Sequence, residues 1–167
     1  MAREPSGKTP RNTAPRIRAR VAGLSVRYGV RSCYVESSAL LAALLEGDAD
    51  ALDTLRRHQQ LVTSALTFAE CNRALVREQA SGRLTPASSP TLARALLTFG
   101  ARCTTIPVTA AILDRAGRPF PTEPVRTLDG IHLATVDALG ESPSTIVVLT
   151  RDIRVRSNAL AMGYAVA

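Results

Sequence analysis

Four acidic residues occupy positions where a chain of alternating strands and helices would bring carboxylates together. Glu36 and Asp152 follow two short apolar segments, 33–35 and 145–149. Glu70 falls in the second turn of a predicted helix, and Asp129 opens another after a proline-rich loop. Converging carboxylates repel one another unless some are protonated or a cation lies among them. A hard, oxygen-seeking ion, Mg²⁺ or Mn²⁺, is the simplest cation to expect there.

Each of these acids also has a structural interpretation when it is taken alone. Asp129 and Asp152 suit the N-cap of a helix, and Glu36 would serve as the polar end of a strand. Glu70 has apolar neighbours, which predicts partial burial and therefore a need for a polar partner. The joint placement of the four favours a functional site, because clustered acids at a strand edge are typical of one.

The elements that must position these acids alternate along the chain. The pattern predicts strands at 33–35, 61–63, 103–108, 145–149 and 164–166, and helices at 38–45, from Asp48 to about 58, 65–80, 91–102, 109–116, 129–139 and 153–162. Residues 117–124 contain three prolines and are expected to form an ordered loop. This alternation predicts an α/β fold with a mostly parallel central sheet and helices on both faces. Functional groups then gather beyond the carboxyl ends of the strands.

The length and composition favour one globular domain behind a basic tail. The chain has 167 residues, of which 46% are apolar and 21% charged, and its net charge is +7. Residues 1–31 hold eight basic side chains and one acid, so they carry all of that net charge. We expect a disordered tail at 1–31 and a single domain at 32–167, and the net charge of the tail says nothing about a nucleic-acid face on that domain.

Several other classes of protein are disfavoured. No apolar run approaches the roughly 18 residues of a membrane span. Three cysteines without a CxxC pair indicate reduced thiols in a cytoplasmic protein. Gly7-Lys8-Thr9 matches the end of a phosphate-binding loop, but Ala2 stands where the first glycine belongs. A receiver-type domain needs a lysine on a late strand, and Lys8 is the only lysine.

Four motifs in order resemble a known family. They are YVESSALL, TSALTFAECNRAL, RTLDGIHLAT and VVLTRD, and together they extend from about residue 32 to the C-terminus. The sequence resembles the PIN domain, and most closely the VapC-type toxin ribonucleases of bacterial toxin–antitoxin pairs. This resemblance implies a PIN-like α/β/α sandwich and metal-dependent cleavage of RNA.

The resemblance also implies roles for individual residues. Glu36, Glu70, Asp129 and Asp152 would be the acidic catalytic and metal-binding residues, with Mg²⁺ or Mn²⁺ as cofactor. Thr150 would be the hydroxyl that accompanies the last acid. Two serines, Ser37 and Ser38, match the small hydroxyl residues after the first acid, and we expect them to cap the first helix, with Ser38 doing little more.

Two positions depart from the family pattern. The first acid is normally aspartate and is Glu36 here, which is one methylene longer. In the DGIHLA segment, Gly130 replaces the usual alanine. His132 lies one turn after Asp129, and we expect a buried, hydrogen-bonded histidine there rather than a catalytic one.

The partners implied by the resemblance are an RNA substrate, a cognate antitoxin seated in a groove between helices, and a second copy of the chain. Four arginines near the predicted site are candidates for phosphate contacts, namely Arg126, Arg151, Arg154 and Arg156.

The main hypothesis is a metal-dependent endoribonuclease. The alternative is a non-catalytic PIN-fold module that binds protein or RNA through a relaxed acidic site.

Overall fold

The computed structural model describes residues 32–167, so the predicted basic tail at 1–31 lies outside the described residues. The strands are β1 (Ser32–Val35), β2 (Leu61–Ser64), β3 (Cys103–Ile106), β4 (Ile146–Leu149) and β5 (Ala165–Val166). The α-helices are α1 (Ser37–Leu41), α2 (Ala49–Arg57), α3 (Ala65–Ala80), α4 (Ser89–Arg102), α5 (Ala110–Ala116), α6 (Thr127–Ala138) and α7 (Ile153–Ala161). Among these described helices, none is long and apolar enough to cross a bilayer.

The five strands form one parallel sheet in the order β3-β2-β1-β4-β5. Side chains alternate between its faces, so Tyr34 enters one apolar core while Cys33 and Val35 enter the other. The core around Tyr34 is closed by α5, α6 and α7, and the opposite core by α1, α3 and α4. This arrangement confirms the predicted α/β/α sandwich.

The central position of β1 determines where a site can form. Its neighbours β2 and β4 lie on either side, and both run parallel to it. The chain leaves β1 toward one face of the sheet and leaves β4 toward the other, so a crevice opens beyond their carboxyl ends. Glu36 and Asp152 both follow strands that end at this crevice.

Most predicted elements are present, with differences at their ends. Helix α3 has the predicted bounds. Strand β3 ends at Ile106 rather than at 108, because Pro107 has no N–H with which to extend the sheet. The first helix widens into a π-helical turn, Ala42–Glu46, which Gly47 ends in the left-handed conformation with φ of 67°.

A shift that bears on the site concerns helix α6, which begins at Thr127 and not at Asp129. Asp129 is therefore its third residue, and the N-cap position belongs to Arg126. Gly130 faces the preceding loop, where an added Cβ would lie 3.3 Å from the Ala116 carbonyl oxygen and 3.4 Å from the Phe120 ring. The glycine thus permits a close approach between α6 and the segment that leads into it.

Candidate active site

Glu36 stands at the junction of β1 and α1, and both of its carboxylate oxygens are engaged. Its backbone N–H donates to the Leu149 carbonyl at 3.0 Å, which ties the end of β1 to the end of β4. Oε1 accepts from the Ser37 hydroxyl at 2.6 Å, and Oε2 accepts from the Thr150 hydroxyl at 2.8 Å. Oε2 also accepts from the Ser38 N–H at 3.0 Å, so Glu36 itself is the N-cap of α1. The expectation that the two serines cap this helix was wrong in that respect.

Ser38 does far more than sequence reasoning expected. Its hydroxyl contacts Glu36 Oε2 and accepts from the backbone N–H groups of Arg151 and Asp152, at 2.8 and 3.0 Å. It therefore joins the start of α1 to the turn after β4. The signal in the sequence was only a serine pair after the first acid, and its contacts to residues 113 and 114 positions away could not be inferred from that pair.

Asp152 is the N-cap of α7, as its structural interpretation predicted. A single oxygen, Oδ1, accepts from the N–H groups of Arg154 and Val155, at 2.7 and 3.1 Å. Its own N–H donates to Thr150 Oγ1 at 3.0 Å, so the two residues adjoin each other. Because both capping bonds use Oδ1, the cap leaves Oδ2 for another ligand.

The surroundings of Asp129 disfavour the charged form of its carboxyl group. Its Oδ2 atom is buried and has no hydrogen-bond partner. Burial raises the pKa of Asp129, and the negative charges of Asp152 and Glu36 raise it further. Arg126 and Arg154 oppose these effects without cancelling them. An orphaned carboxylate oxygen among like charges fits a position that a cation would occupy.

Glu70 lies on helix α3 and reaches the site through contact with His132. Its Oε2 lies 2.7 Å from Nε2 of the buried His132, whose Nδ1 lies 2.8 Å from the Tyr34 hydroxyl. Burial raises the pKa of Glu70, but the contacts of its carboxylate with His132 and with the Ser37 hydroxyl outweigh burial and lower it. The expectation of a buried, hydrogen-bonded histidine is consistent with this geometry.

The described residues place three possible ligand atoms closest together. One atom each from Glu36, Glu70 and His132 lies within 4.8 Å of the others. Asp129 and Asp152 stand outside that trio, although the charges of Asp152 and Glu36 both act on Asp129. The oxygen-rich donor set is the type that Mg²⁺ and Mn²⁺ prefer.

The candidate arginines differ in their availability. Arg151 is paired with Asp48, the N-cap of α2, through two contacts of 2.7 and 3.0 Å. This pair holds the pKa of Asp48 well below its usual range. Arg126 and Arg154 flank Asp129 electrostatically, and neither forms a salt bridge within residues 32–167. These two are therefore the better placed for a phosphate group.

A family model settles the relationship of this fold to known proteins. The model of the PIN domain matches residues 33–159. The chain belongs to the PIN domain family. This result confirms the resemblance found in the four sequence motifs.

Sequence relatives of this PIN domain include two Mycobacterium tuberculosis proteins. Ribonuclease VapC46 is 38% identical over 135 residues, covering 80% of this chain and 94% of that protein. Ribonuclease VapC35 is 33% identical over 137 residues, covering 80% of this chain and 93% of that protein. Both matches span nearly the whole length of the relatives.

Solved structures support the same fold at lower sequence identity. PAE2754 from Pyrobaculum aerophilum matches with a TM-score of 0.56 and 17% identity, covering 81% of this chain and 82% of that one. VapBC2 from Rickettsia felis, bound to a DNA fragment from its promoter, matches with a TM-score of 0.58 and 11% identity. The second match covers 81% of this chain and 97% of the Rickettsia chain.

Proposed function

We propose that this PIN domain is a metal-dependent endoribonuclease that hydrolyses RNA phosphodiester bonds, and that it is the toxin of a toxin–antitoxin pair. The observation that carries the proposal is the unpartnered Oδ2 of Asp129, buried beside the charges of Asp152 and Glu36. The family of the chain and the ribonuclease relatives support the reaction class.

The residues proposed to hold the metal are Glu36, Asp129, Asp152 and, from helix α3, Glu70. Mg²⁺ or Mn²⁺ held there would supply a Lewis acid for a phosphate oxygen and would lower the pKa of a water beside it. The carboxylates Asp129 and Asp152 contribute uncommitted oxygens, since the cap of α7 uses only Oδ1 of Asp152. Thr150 acts as the accompanying hydroxyl by fixing the Glu36 carboxylate.

Glu70 is proposed to orient the attacking water and to accept its proton. Its lowered pKa keeps the carboxylate ionised near neutral pH, which a proton acceptor requires. Attack in line with the leaving oxygen would give a 5′-phosphate and a 3′-hydroxyl, without use of the ribose 2′-hydroxyl as nucleophile. Arg126 and Arg154 would contact the phosphates on either side of Asp129.

Glu36 in place of aspartate is compatible with this proposal. The longer side chain is fixed by hydroxyl donors from Ser37 and Thr150, one on each oxygen. Such a fixed carboxylate needs no further ordering when a cation binds.

The same observation favours the alternative function. Because both oxygens of Glu36 already accept hydrogen bonds, the first acid is satisfied without a metal. In the alternative, the acidic site is relaxed and the domain acts by holding a protein or RNA. Measured affinity for Mn²⁺ separates the two functions, since only the nuclease needs the ion.

A groove on the opposite core supports an antitoxin as partner. Its volume is about 400 Å³, and it lies between α1, the π-helical turn, α2 and α4. Leucines and Phe99 line it, while Arg56, Arg94 and Arg102 contribute positive charge. We propose that an apolar segment with acidic residues, supplied by a cognate antitoxin, occupies this groove.

Two further properties belong to the proposal. Exposed leucines on α5 and α7, Leu113 and Leu160, are available for the expected contact with a second copy of the chain.

The three free thiols of Cys33, Cys71 and Cys103 suit the reducing cytoplasm, where we propose that the protein acts. Burial raises the pKa of Cys33 and of Cys71 to about 12, so these two thiols are unreactive.

The proposed function is tested by RNA cleavage with purified protein in Mn²⁺ and in EDTA. We expect cleavage only with the metal, and a loss of at least about 100-fold in Asp129→Asn. The matched control is Asp53→Asn, which removes an exposed acid of α2. Cleavage that persists in EDTA, or in Asp129→Asn, would contradict the proposed role of the metal.

A further inference from the structure

His132 connects the acidic site to the interior of the sheet. It lies on α6 with an exposed fraction of 1%, and it bridges Tyr34, which is 98 positions away, and Glu70, which is 62 positions away. Both ring nitrogens are within hydrogen-bond distance of these partners, at 2.8 and 2.7 Å. A ring held at both nitrogens has one orientation in the core.

The chemistry of the two partners determines where the imidazole proton lies. An ionised carboxylate only accepts hydrogen bonds, so Glu70 requires an N–H at Nε2 of a neutral His132. The remaining nitrogen, Nδ1, then has a lone pair and accepts the hydroxyl hydrogen of Tyr34. Burial raises the pKa of Tyr34 well above its usual value, which keeps this phenol a donor.

Two roles for His132 compete in this geometry. Its Nε2 atom belongs to the group of possible metal ligands, and it lies 3.8 Å from Glu36 Oε1. A histidine ligand must present a lone pair to the metal. If Nε2 carries a proton, it has no lone pair for a metal. If Nε2 carries no proton, two hydrogen-bond acceptors, Nε2 and Glu70 Oε2, lie 2.7 Å apart with no hydrogen between them.

We propose that Tyr34 and His132 are positioning residues, which hold Glu70 as an oxygen ligand and keep the imidazole out of the metal's coordination shell. This inference rests on the proposed function, since it assigns the support for one of its acids. The Tyr34–His132–Glu70 chain leaves the site with oxygen donors only. Carboxylate oxygens suit Mg²⁺ and Mn²⁺, whereas an imidazole ligand would add to the affinity of the site for Zn²⁺ and Ni²⁺.

The proton position is measured by long-range ¹H–¹⁵N correlation spectra of the histidine rings. We expect His132 to show a protonated Nε2 and an unprotonated Nδ1, both in EDTA and with saturating Mg²⁺. A spectrum in which Nε2 has lost its proton when Mg²⁺ is bound would overturn the inference. His58, the only other histidine, serves as the internal reference, and its assignment follows from His58→Gln.

Two amide variants separate positioning from simple occupancy of the core. The side-chain amide of His132→Gln reaches the place of Nε2 and can donate to Glu70, whereas that of His132→Asn reaches only the place of Nδ1. We expect His132→Asn to weaken Mn²⁺ binding about 10- to 100-fold by calorimetry, and His132→Gln to restore most of the affinity. Equal affinity in the two variants would overturn the positioning role.

Tyr34→Phe tests the outer member of the chain. We expect the Nδ1 resonance of His132 to move toward that of an unbonded lone pair, and the affinity for Mn²⁺ to fall several-fold, less than in His132→Asn. Unchanged Mn²⁺ affinity in this variant would remove Tyr34 from the proposal. Thermal unfolding of each variant establishes that the compared proteins are folded.

The outcomes also distinguish this inference from the proposed function. A wild-type protein that binds no Mn²⁺ and cuts no RNA would contradict the nuclease and the inference that depends on it. A wild-type protein that cuts RNA with Mn²⁺, together with a His132→Asn variant of equal metal affinity, would contradict the positioning role alone.

Discussion

Thr150 and Glu36 lie 114 positions apart in the chain and are joined by a 2.8 Å hydrogen bond from the Thr150 hydroxyl to Glu36 Oε2. Both residues are buried, and they follow the paired strands β4 and β1. The bond therefore connects the two strand exits that form the crevice. It also fixes the first acid of the proposed site in one orientation.

The first prediction concerns this hydroxyl. Thr150→Val keeps the shape of the side chain but removes the buried hydroxyl that donates to Glu36 Oε2 from the turn after β4. We expect a loss of about 1–3 kcal/mol in the free energy of unfolding and a fall in RNA cleavage of about 10-fold or more. Thr150→Ser, which retains the hydroxyl, should remain near wild type. Equal effects of the two substitutions would show that the hydroxyl is not responsible.

A second prediction concerns stabilisation by the metal. An ion that binds only the folded protein adds about 2.7 kcal/mol when its concentration is 100 times its Kd. For a folded body of this size we expect Tm to rise by roughly 5–10 °C in Mn²⁺ relative to EDTA. Asp129→Asn should lose most of this rise, and Asp53→Asn should keep it. A similar rise in both variants would indicate that the ion binds elsewhere.

A third prediction concerns pH. The folded-state pKa of Asp129 is raised above its usual value of 3.8, so the folded protein binds this proton more tightly than the unfolded chain does. The free energy of unfolding therefore falls as pH rises from about 3.8, the usual pKa, through the folded-state pKa of Asp129. Above the folded-state pKa the loss is complete. In EDTA, Asp129→Asn should be more stable than wild type at pH 7 by roughly 2 °C in Tm, and less so near pH 4.

Thermal unfolding across this pH range checks that prediction. The difference in Tm between wild type and Asp129→Asn should widen with increasing pH and then level off. A constant difference from pH 4 to 7 would mean that burial and the charges of Asp152 and Glu36 do not raise the pKa of Asp129 in the folded protein.

The fourth prediction concerns the groove. Arg94 is exposed on α4 at the groove, and its replacement by glutamate would repel an acidic partner segment. With the product of an adjacent antitoxin reading frame as probe, we expect Arg94→Glu to weaken binding at least 10-fold while RNA cleavage is unchanged. The control is Arg73→Glu, on the exposed face of α3. If both variants bind the antitoxin as wild type does, the partner uses another surface.

Local sequence signals predicted most of the elements and their order. The bounds of α3 follow from an apolar stripe that begins after Ser64, whose hydroxyl caps the helix, and ends at Ser81-Gly82. The sheet follows from strands that are separated almost throughout by one or two helices, a pattern that permits few topologies other than a parallel one. These features depend on neighbours along the chain, so one sequence sufficed.

The details of the site depend on contacts between distant segments. The position of Asp129 within α6 could not be inferred, because the helix begins two residues earlier than its acid suggested. The contacts of Ser38 with the turn after β4 had no local signal. The partners of His132 likewise come from β1 and α3, on separate elements of the fold. The acids themselves were identified by their positions after strands or in the first turns of helices, and their joint role as metal ligands stays a prediction.

The place of β4 in the sheet has a consequence for how this protein is made. Strand β4 pairs with β1, yet its residues are synthesised more than a hundred positions later. A nascent or prematurely ended chain that stops before Ile146 contains Glu36 and Glu70 but neither Thr150 nor Asp152. Any activity that needs these four groups together is therefore absent until β4 and the turn after it have been synthesised.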